Sequence, residues 1–354
     1  MTAVTDTTPA TTPDTSAKTP AATATGVGRD GGSPSATRAS RPGRAAGLRD
    51  LSTWADWAAL VGLVVLVVVF QSLNPTFLSA GNIQSMLVAS AILIVLAIGQ
   101  TFVVATSGID LSVASTMTLS AVVFGLVFTA GLPLPLAMAA AVVAGALVGL
   151  ANGLLVSRGR ITDFIVTLGT LSAASGLALV LADGKPATII SGPLLTLSTG
   201  SVGILGYSVI VALVIAVVAH VVLFRTRFGT HVLATGGNTE AANATGVRTK
   251  RVKTLVYVIS GVLAGVGSIL LVARVGAAEP AANTAFLLNS VAAVVLGGVS
   301  LFGGRATVIG PVIGALLLTA LVNGLTLLGV SQFYQPLSVG LVVVLAAFLT
   351  RFQK

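Results

Sequence analysis

Cysteine is absent from the 354 residues, which excludes disulfides, zinc–thiolate centres and iron–sulfur clusters. Charge is scarce as well. Asp, Glu, Lys and Arg make up 8% of the chain, against roughly 25% in a soluble domain. A water-facing surface cannot be built from so few charges, whereas a lipid-facing one can. Histidine occurs only as His220 and His231; neither has a second donor at metal-ligand spacing, so no metal site is expected. No phosphate-binding loop is present, because Gly184-Lys185 is followed by Pro186 and lacks the upstream glycine. The chain is not expected to hydrolyse ATP. No Ser–His–Asp or Cys–His constellation can be assembled either, so an enzyme is not expected.

What remains is apolar. Hydrophobic residues make up 55% of the chain and the mean hydropathy is +1.02. From Trp54 onward the apolar runs are long enough to cross ~30 Å of hydrocarbon at about 1.5 Å per helical residue. Ten spans are predicted: 55–73, 83–106, 111–130, 133–156, 162–182, 202–224, 253–273, 284–302, 306–329 and 334–350. The fold class is therefore an all-α polytopic membrane protein. Residues 1–52 differ: they are rich in Thr, Ala, Pro, Ser and Gly, with no apolar run. They read as a disordered cytoplasmic tail, and not as a secretory signal. The rest, 53–354, reads as one transmembrane domain.

The net charge of +9 would suggest nucleic acid in a soluble protein, but the basic residues gather at span ends. With the N-terminus inside and ten alternating helices, seventeen of nineteen Lys and Arg fall on the inner side, leaving Lys185 and Arg274 outside. Reading 83–130 as one span would put Arg158, Arg160 and the 225–253 segment outside. The break at Ser107-Gly108-Ile109-Asp110 therefore separates two crossings, and both termini face the cytoplasm. Glycines repeat at i+4 (Gly145, Gly149 and Gly153; Gly261 and Gly265; Gly310 and Gly314), as in helices packing closely in lipid.

After the tail there are six carboxylates, and only Asp110 lies between two apolar runs with little room to reach water. An intramembrane carboxylate is a functional candidate by default. Two readings stay open: an N-cap of the following helix, or a polar lining of a translocation path. Ser112 and Ser115 lie in the same segment; Asn152, Thr167 and Asn289 are weaker pathway candidates that could equally bond a neighbouring helix. One such carboxylate is few for a proton- or sodium-coupled secondary transporter. The longest loop expected inside, 225–252, contains Thr239-Glu-Ala-Ala-Asn-Ala-Thr245, a plausible short helix. Gly236-Gly237 precede it and Gly246 follows as a C-terminal cap. The alternative is an ordinary solvated loop.

Three stretches carry a resemblance. The first is Gly99-Gln-Thr-Phe-Val-Val-Ala-Thr-Ser-Gly-Ile-Asp-Leu-Ser-Val-Ala-Ser115. The second is Ala151-Asn-Gly-Leu-Leu-Val156, followed by Phe164-Ile-Val-Thr-Leu-Gly-Thr170. The third runs from Phe228 to Ser331 and includes Gly236-Gly-Asn-Thr-Glu-Ala-Ala242, Thr245-Gly-Val247 and Ser300-Leu-Phe-Gly-Gly304. Together they resemble the permeases of bacterial ABC importers of the ribose, xylose, arabinose and galactoside type, over roughly 55–350. Ser107 and Ala114 stand where that family usually has Gly, and Asn289 where it commonly has Asp.

The resemblance implies a type II ABC importer-like fold of about ten helices. It also implies a pore of two permease subunits, this chain with a second copy or a paralogue. Two ATPase subunits that use ATP and Mg would dock on the cytoplasmic side, and an extracytoplasmic sugar-binding protein would deliver a monosaccharide. This chain would bind no cofactor; its other partner is membrane lipid, with no nucleic acid. The expected location is the bacterial plasma (inner) membrane. The resemblance also makes 225–252 a coupling loop, with Gly236, Gly237, Asn238, Glu240, Ala241, Ala242, Thr245 and Gly246 toward the ATPase. Other solutes, such as branched-chain amino acids carried by distant relatives, stay open.

Overall fold

The computed structural model describes residues 51–281 and 284–350. The tail expected over 1–52 lies, up to residue 50, outside the described residues. Beyond it the chain is helical: α1 (Leu51–Leu73), α2 (Ala80–Ala105), α3 (Val113–Thr129), α4 (Leu134–Ser157), α5 (Asp163–Leu181), α6 (Gly192–Thr199), α7 (Tyr207–Arg225), α8 (Arg227–Gly237), α9 (Thr239–Ala244), α10 (Thr249–Val275), α11 (Thr284–Leu296), α12 (Ile309–Leu327) and α13 (Gln335–Thr350). Two short antiparallel pairs complete it: β1 (Ala187–Thr188) with β4 (Ala277–Ala278), and β2 (Ser201–Val202) with β3 (Leu205–Gly206).

Among the described residues, α2, α4, α5, α7, α10 and α12 are long and apolar enough to cross a membrane, while α3, α11 and the apolar parts of α1 and α13 are shorter. These ten helices follow the ten spans read from the sequence. The remaining helices, α6, α8 and α9, fall in connections.

Helix α2 is the centre of the bundle. From Ser90 to Ala105 every residue is buried, as in a helix that is apolar nearly all round; Ser90, Gln100 and Thr101 donate to main-chain carbonyls. Around it pack α7, α10, α11 and α12. The most extensive packing is α4 against α10, and glycine makes it possible. A Cβ on Gly145 would collide with the Gly261 carbonyl, one on Gly149 with the Tyr257 carbonyl, and one on Gly265 would lie 2.7 Å from Val142 Cα. Backbone therefore meets backbone, as the i+4 spacing predicts. The Gly310 and Gly314 seam joins α12 to α11 in the same way, Gly310 against Gly297 and Gly314 against Ala293.

The helices alternate in direction between two ends. At one end the α2 C-terminus meets α8 and the 302–304 segment, Ile109 meets Asp163 at the start of α5, and Ser157 meets Thr254 near the start of α10. At the other end Asn74 donates to the Leu327 carbonyl, and Asn82 and Asn323 exchange amide hydrogen bonds of 2.9 Å. Arg158, Arg160, Arg225, Arg227, Arg248, Lys250, Arg251, Lys253 and Arg305 gather at the first end; Lys185 and Arg274 lie toward the second.

Two expectations need correction. The span expected over 284–302 is helical only to Leu296. Thirteen residues reach about 20 Å, short of ~30 Å of hydrocarbon. Gly297 and Gly298 end the helix, Gly298 with φ +77°, and the chain then runs without helix to Val308. Within the 225–252 loop the structure has two helices in place of one. Gly236 and Gly237 form the last turn of α8 instead of a link before α9, because Thr226 caps an additional helix through Gly229 N–H.

Candidate functional site

The α2–α3 connection is the polar heart of the bundle. Thr106 ends α2, Ser107 turns the chain at φ +61°, and residues 108–112 fold back beside the last turns of α2. Asp110 is 3% exposed, with its carboxylate fully engaged. Oδ1 accepts from Ser112 N–H at 2.9 Å and Ser112 Oγ at 2.6 Å, while Oδ2 accepts from Ser260 Oγ of α10 at 2.8 Å. Gln100 of α2 donates to the Asp110 carbonyl. Of the two readings open for Asp110, the helix N-cap is not the one the structure has. Ser112 occupies the cap position, and Asp110 forms the side-chain turn that Asp makes with the N–H two residues on.

The network continues outward. Asn152 Nδ2 of α4 donates to Ser112 Oγ at 2.8 Å, and Thr170 Oγ1 of α5 donates to Asn152 Oδ1 at 2.6 Å. Ile109 is held on both sides: its N–H donates to Asp163 Oδ2 at 2.8 Å, and its carbonyl accepts from Tyr257 at 3.3 Å. Thr167 Oγ1 lies 2.9 Å from the Asp163 carbonyl and 3.3 Å from that of Ile109. Side chains and backbone from α2, α3, α4, α5 and α10 thereby converge on 109–112. No lysine or arginine pairs with Asp110 among the described residues. Its hydrogen bonds all come from neutral donors, and burial makes each of them costly to lose.

The structure therefore brings Asp110, Ser112 and Asn152 into one cluster. Thr167 joins at its edge, and Ser115 turns its hydroxyl to the Ser112 carbonyl at 2.9 Å. Asn289 stands apart on α11, half-buried, and makes no hydrogen bond among the described residues. Sequence reasoning missed Gln100, Thr170, Tyr257 and Ser260. Their signal was available, since each is a polar group inside an apolar run, but polar residues that pair across helices look alike in sequence until the partner is known.

The second candidate region projects from the same end. Asn238 separates α8 from α9 and caps α9, accepting from Ala241 N–H at 2.9 Å. Gly246, at φ +89°, follows its C-terminus. Of α9 only Ala242 is buried; Glu240, Ala241, Asn243 and Ala244 face outward. Gly236 is buried against Ala105, where a Cβ would strike the Ala105 carbonyl. Ser107 Oγ lies 2.8 Å from the Gly236 carbonyl and 2.7 Å from that of Phe302. The projecting loop is thus fastened by its root to the α2–α3 connection.

No cluster of metal-binding side chains occurs among the described residues. What the arrangement offers is a fixed array of hydrogen bonds inside a bundle, joined to an exposed small-residue loop at the basic end.

The family described as branched-chain amino acid transport system / permease component matches residues 82–349. The ribose import permease protein of Bacillus subtilis (strain 168) is 40% identical over 80% of this chain and 89% of its own. The ribose import permease protein of Escherichia coli (strain K12) is 34% identical over 79% and 89%. The L-arabinose ABC transporter permease protein of Azospirillum brasilense is 35% identical over 91% and 95%. No solved structure matches the chain. The chain belongs to this family of transport-system permease components, a membrane-embedded transport subunit and not an enzyme.

Proposed function

We propose that this chain is the pore-forming permease of an ATP-driven monosaccharide importer in a bacterial plasma membrane. Its basic end faces the cytoplasm, as Lys and Arg do in short loops, and both termini lie there. The α8–α9 loop, with Gly236, Gly237, Asn238, Glu240, Ala241, Ala242, Thr245 and Gly246, inserts into a partner ATPase that uses ATP and Mg. A sugar-binding protein docks at the opposite end, and a second permease copy or a paralogue completes the pore. The names of the relatives, which import ribose and arabinose, support the solute class. The observation that carries the reading is the projecting loop of small residues at the basic end, rooted on the α2–α3 connection. A movement imposed on α8–α9 reaches Ala105–Ser107, and through it the cluster around Asp110.

Within the path, Asp110, Ser112, Ser115, Asn152 and Thr167 brace the inner end, their hydrogen bonds directed to one another and to the backbone. Asn289 has an amide free to meet sugar hydroxyls. An uncharged polyol suits a path with few charges, because no ion has to be stripped of water. Ion coupling would usually need several buried carboxylates; among the described residues Asp110 is the one that is buried.

The test is uptake of labelled pentoses and hexoses into vesicles holding this chain, with and without an ATPase and a binding protein. Transport that requires all components supports the reading. Transport by the chain alone, abolished by dissipating ion gradients, refutes it.

A further inference from the structure

Helix α1 packs chiefly on α12, and the contact between them is uneven. Away from the basic end it is tight. A Cβ on Gly324 would strike the Phe70 ring, one on Gly62 would lie 3.1 Å from Leu317 Cδ1, and Asn74 donates to the Leu327 carbonyl. At the basic end the two helices part around a cavity of about 470 Å³. Leu60 of α1 and Ile313 of α12 wall it. Gly298 after α11 and Gly310 in the first turn of α12 form its floor and carry no side chain to fill it. Ile309, which also lines it, is 62% exposed, so the cavity is open at the outside of the bundle.

Its rim is polar. Arg305 and Thr307 line the same space. The Arg305 backbone is fixed, because its carbonyl accepts from Ser300 N–H at 3.2 Å and Gly304 before it donates to the Ala105 carbonyl at 3.1 Å. No carboxylate pairs with the Arg305 guanidinium among the described residues, where the one ion pair joins Lys185 to Asp183. Thr307 Oγ1 accepts from Gly310 N–H at 3.4 Å, which leaves its own proton to donate. An unpaired guanidinium presents a fork of donors that suits a phosphate. Aliphatic walls beneath it suit hydrocarbon. Basic pockets of this kind between membrane-spanning helices take lipid headgroups.

We propose that this cavity holds one anionic phospholipid, its phosphate at Arg305 and Thr307 and the start of an acyl chain between Leu60 and Ile313. The lipid completes the seat of α1 where α12 alone does not reach it. The inference needs only that the bundle lies in a bilayer. It rests neither on the transport cycle nor on the α8–α9 loop.

The experiment titrates phosphatidylglycerol and phosphatidylcholine onto the full chain in detergent micelles, read by native mass spectrometry, for wild type, Arg305→Gln, Arg158→Gln and Ile313→Trp. Wild type is expected to bind one phosphatidylglycerol more tightly than further copies and more tightly than phosphatidylcholine. Arg305→Gln should weaken that first site about tenfold, as loss of one charge-assisted hydrogen bond does. Arg158→Gln, exposed at the same end but outside the cavity, should leave it unchanged. Ile313→Trp should fill the apolar part and weaken the site too. Circular dichroism melts accompany each variant; if Ile313→Trp does not fold, Arg305→Gln decides, because that side chain is exposed and its loss leaves the packing intact. Equal losses in Arg305→Gln and Arg158→Gln would show a diffuse attraction of charge and overturn the site. A first site unchanged in Arg305→Gln, or one without preference for phosphatidylglycerol, would overturn it as well. Competition by inorganic phosphate, with a folded Ile313→Trp binding as wild type does, would assign the rim to a free anion and overturn the lipid.

Discussion

Replacing Gly265 by Ala tests the claim that α4 and α10 touch backbone to backbone. The added Cβ would lie 2.7 Å from Val142 Cα, 2.8 Å from the Ala141 carbonyl oxygen and 3.2 Å from Val142 N. Ordinary contact begins at 3.4 Å, so the helices must part by roughly 0.7 Å at this level. No side chain can rotate away to make room, because every obstructing atom is main chain. Overpacking of this kind costs about 1–3 kcal/mol, and the upper half of that range applies where nothing can yield. Alanine offsets part of it, since Gly in a helix interior is about 1 kcal/mol less favourable than Ala. The expected net loss is about 1–2 kcal/mol. Gly169→Ala in α5 is the control, because its Cβ would meet nothing within 4 Å; it should be neutral or stabilising by up to about 1 kcal/mol. Unfolding in mixed micelles by titration with a denaturing detergent measures both. Equal stability of the two variants would refute the backbone seam.

Three further outcomes are expected. Asp110→Asn keeps an acceptor for Ser112 N–H and should cost about 1 kcal/mol. Asp110→Ala strands Ser112 N–H and two hydroxyls and should cost about 2–4 kcal/mol, read in the same unfolding assay; normal sugar uptake by Asp110→Asn would remove its charge from the transport mechanism. Ser107→Gly relieves a left-handed conformation worth about 1–2 kcal/mol and loses one hydrogen bond of about 0.5–1.5 kcal/mol, so its stability should match wild type, while Ser107→Ala should fall below both. Asn323→Leu breaks the paired amides with Asn82 and should destabilise by about 0.6–1.7 kcal/mol; adding Asn82→Leu should recover only part, because Asn82 also donates to the Phe77 carbonyl.

Much of the bundle was legible in the sequence because lipid imposes a length on each apolar run and small residues mark the seams. The break at Ser107–Asp110 separated α2 from α3 correctly, since one span there would have reversed the charge pattern of everything downstream. The end of α11 at Leu296 was not legible: Val299, Leu301 and Phe302 keep the run apolar, and only the glycines hint that it is no longer helix. Asp110 was legible as an unusual residue, but its role was not. Whether a buried aspartate caps a helix or braces a turn depends on Ser260, distant in sequence and 2.8 Å away in space. Ser107 shows the reverse case. It reads as an ordinary loop residue in sequence, yet holds φ +61°, a backbone state that glycine adopts without strain.

Gly297 and Gly310 touch through their backbones, so the chain leaves the bundle after α11 and returns before α12 at nearly the same point. A loop closed at its neck conceals its length from the helices it joins. Adding a residue among 305–308 would not shift the register of α11 against α12, and closure entropy rises only slowly with loop size. Adding one inside α11 or α12 would rotate every later side chain by about 100°. Among relatives, insertions and deletions in this excursion should therefore fall outside the 300–304 turn, which is bound to Ala105 and Ser107, and spare the helices on either side.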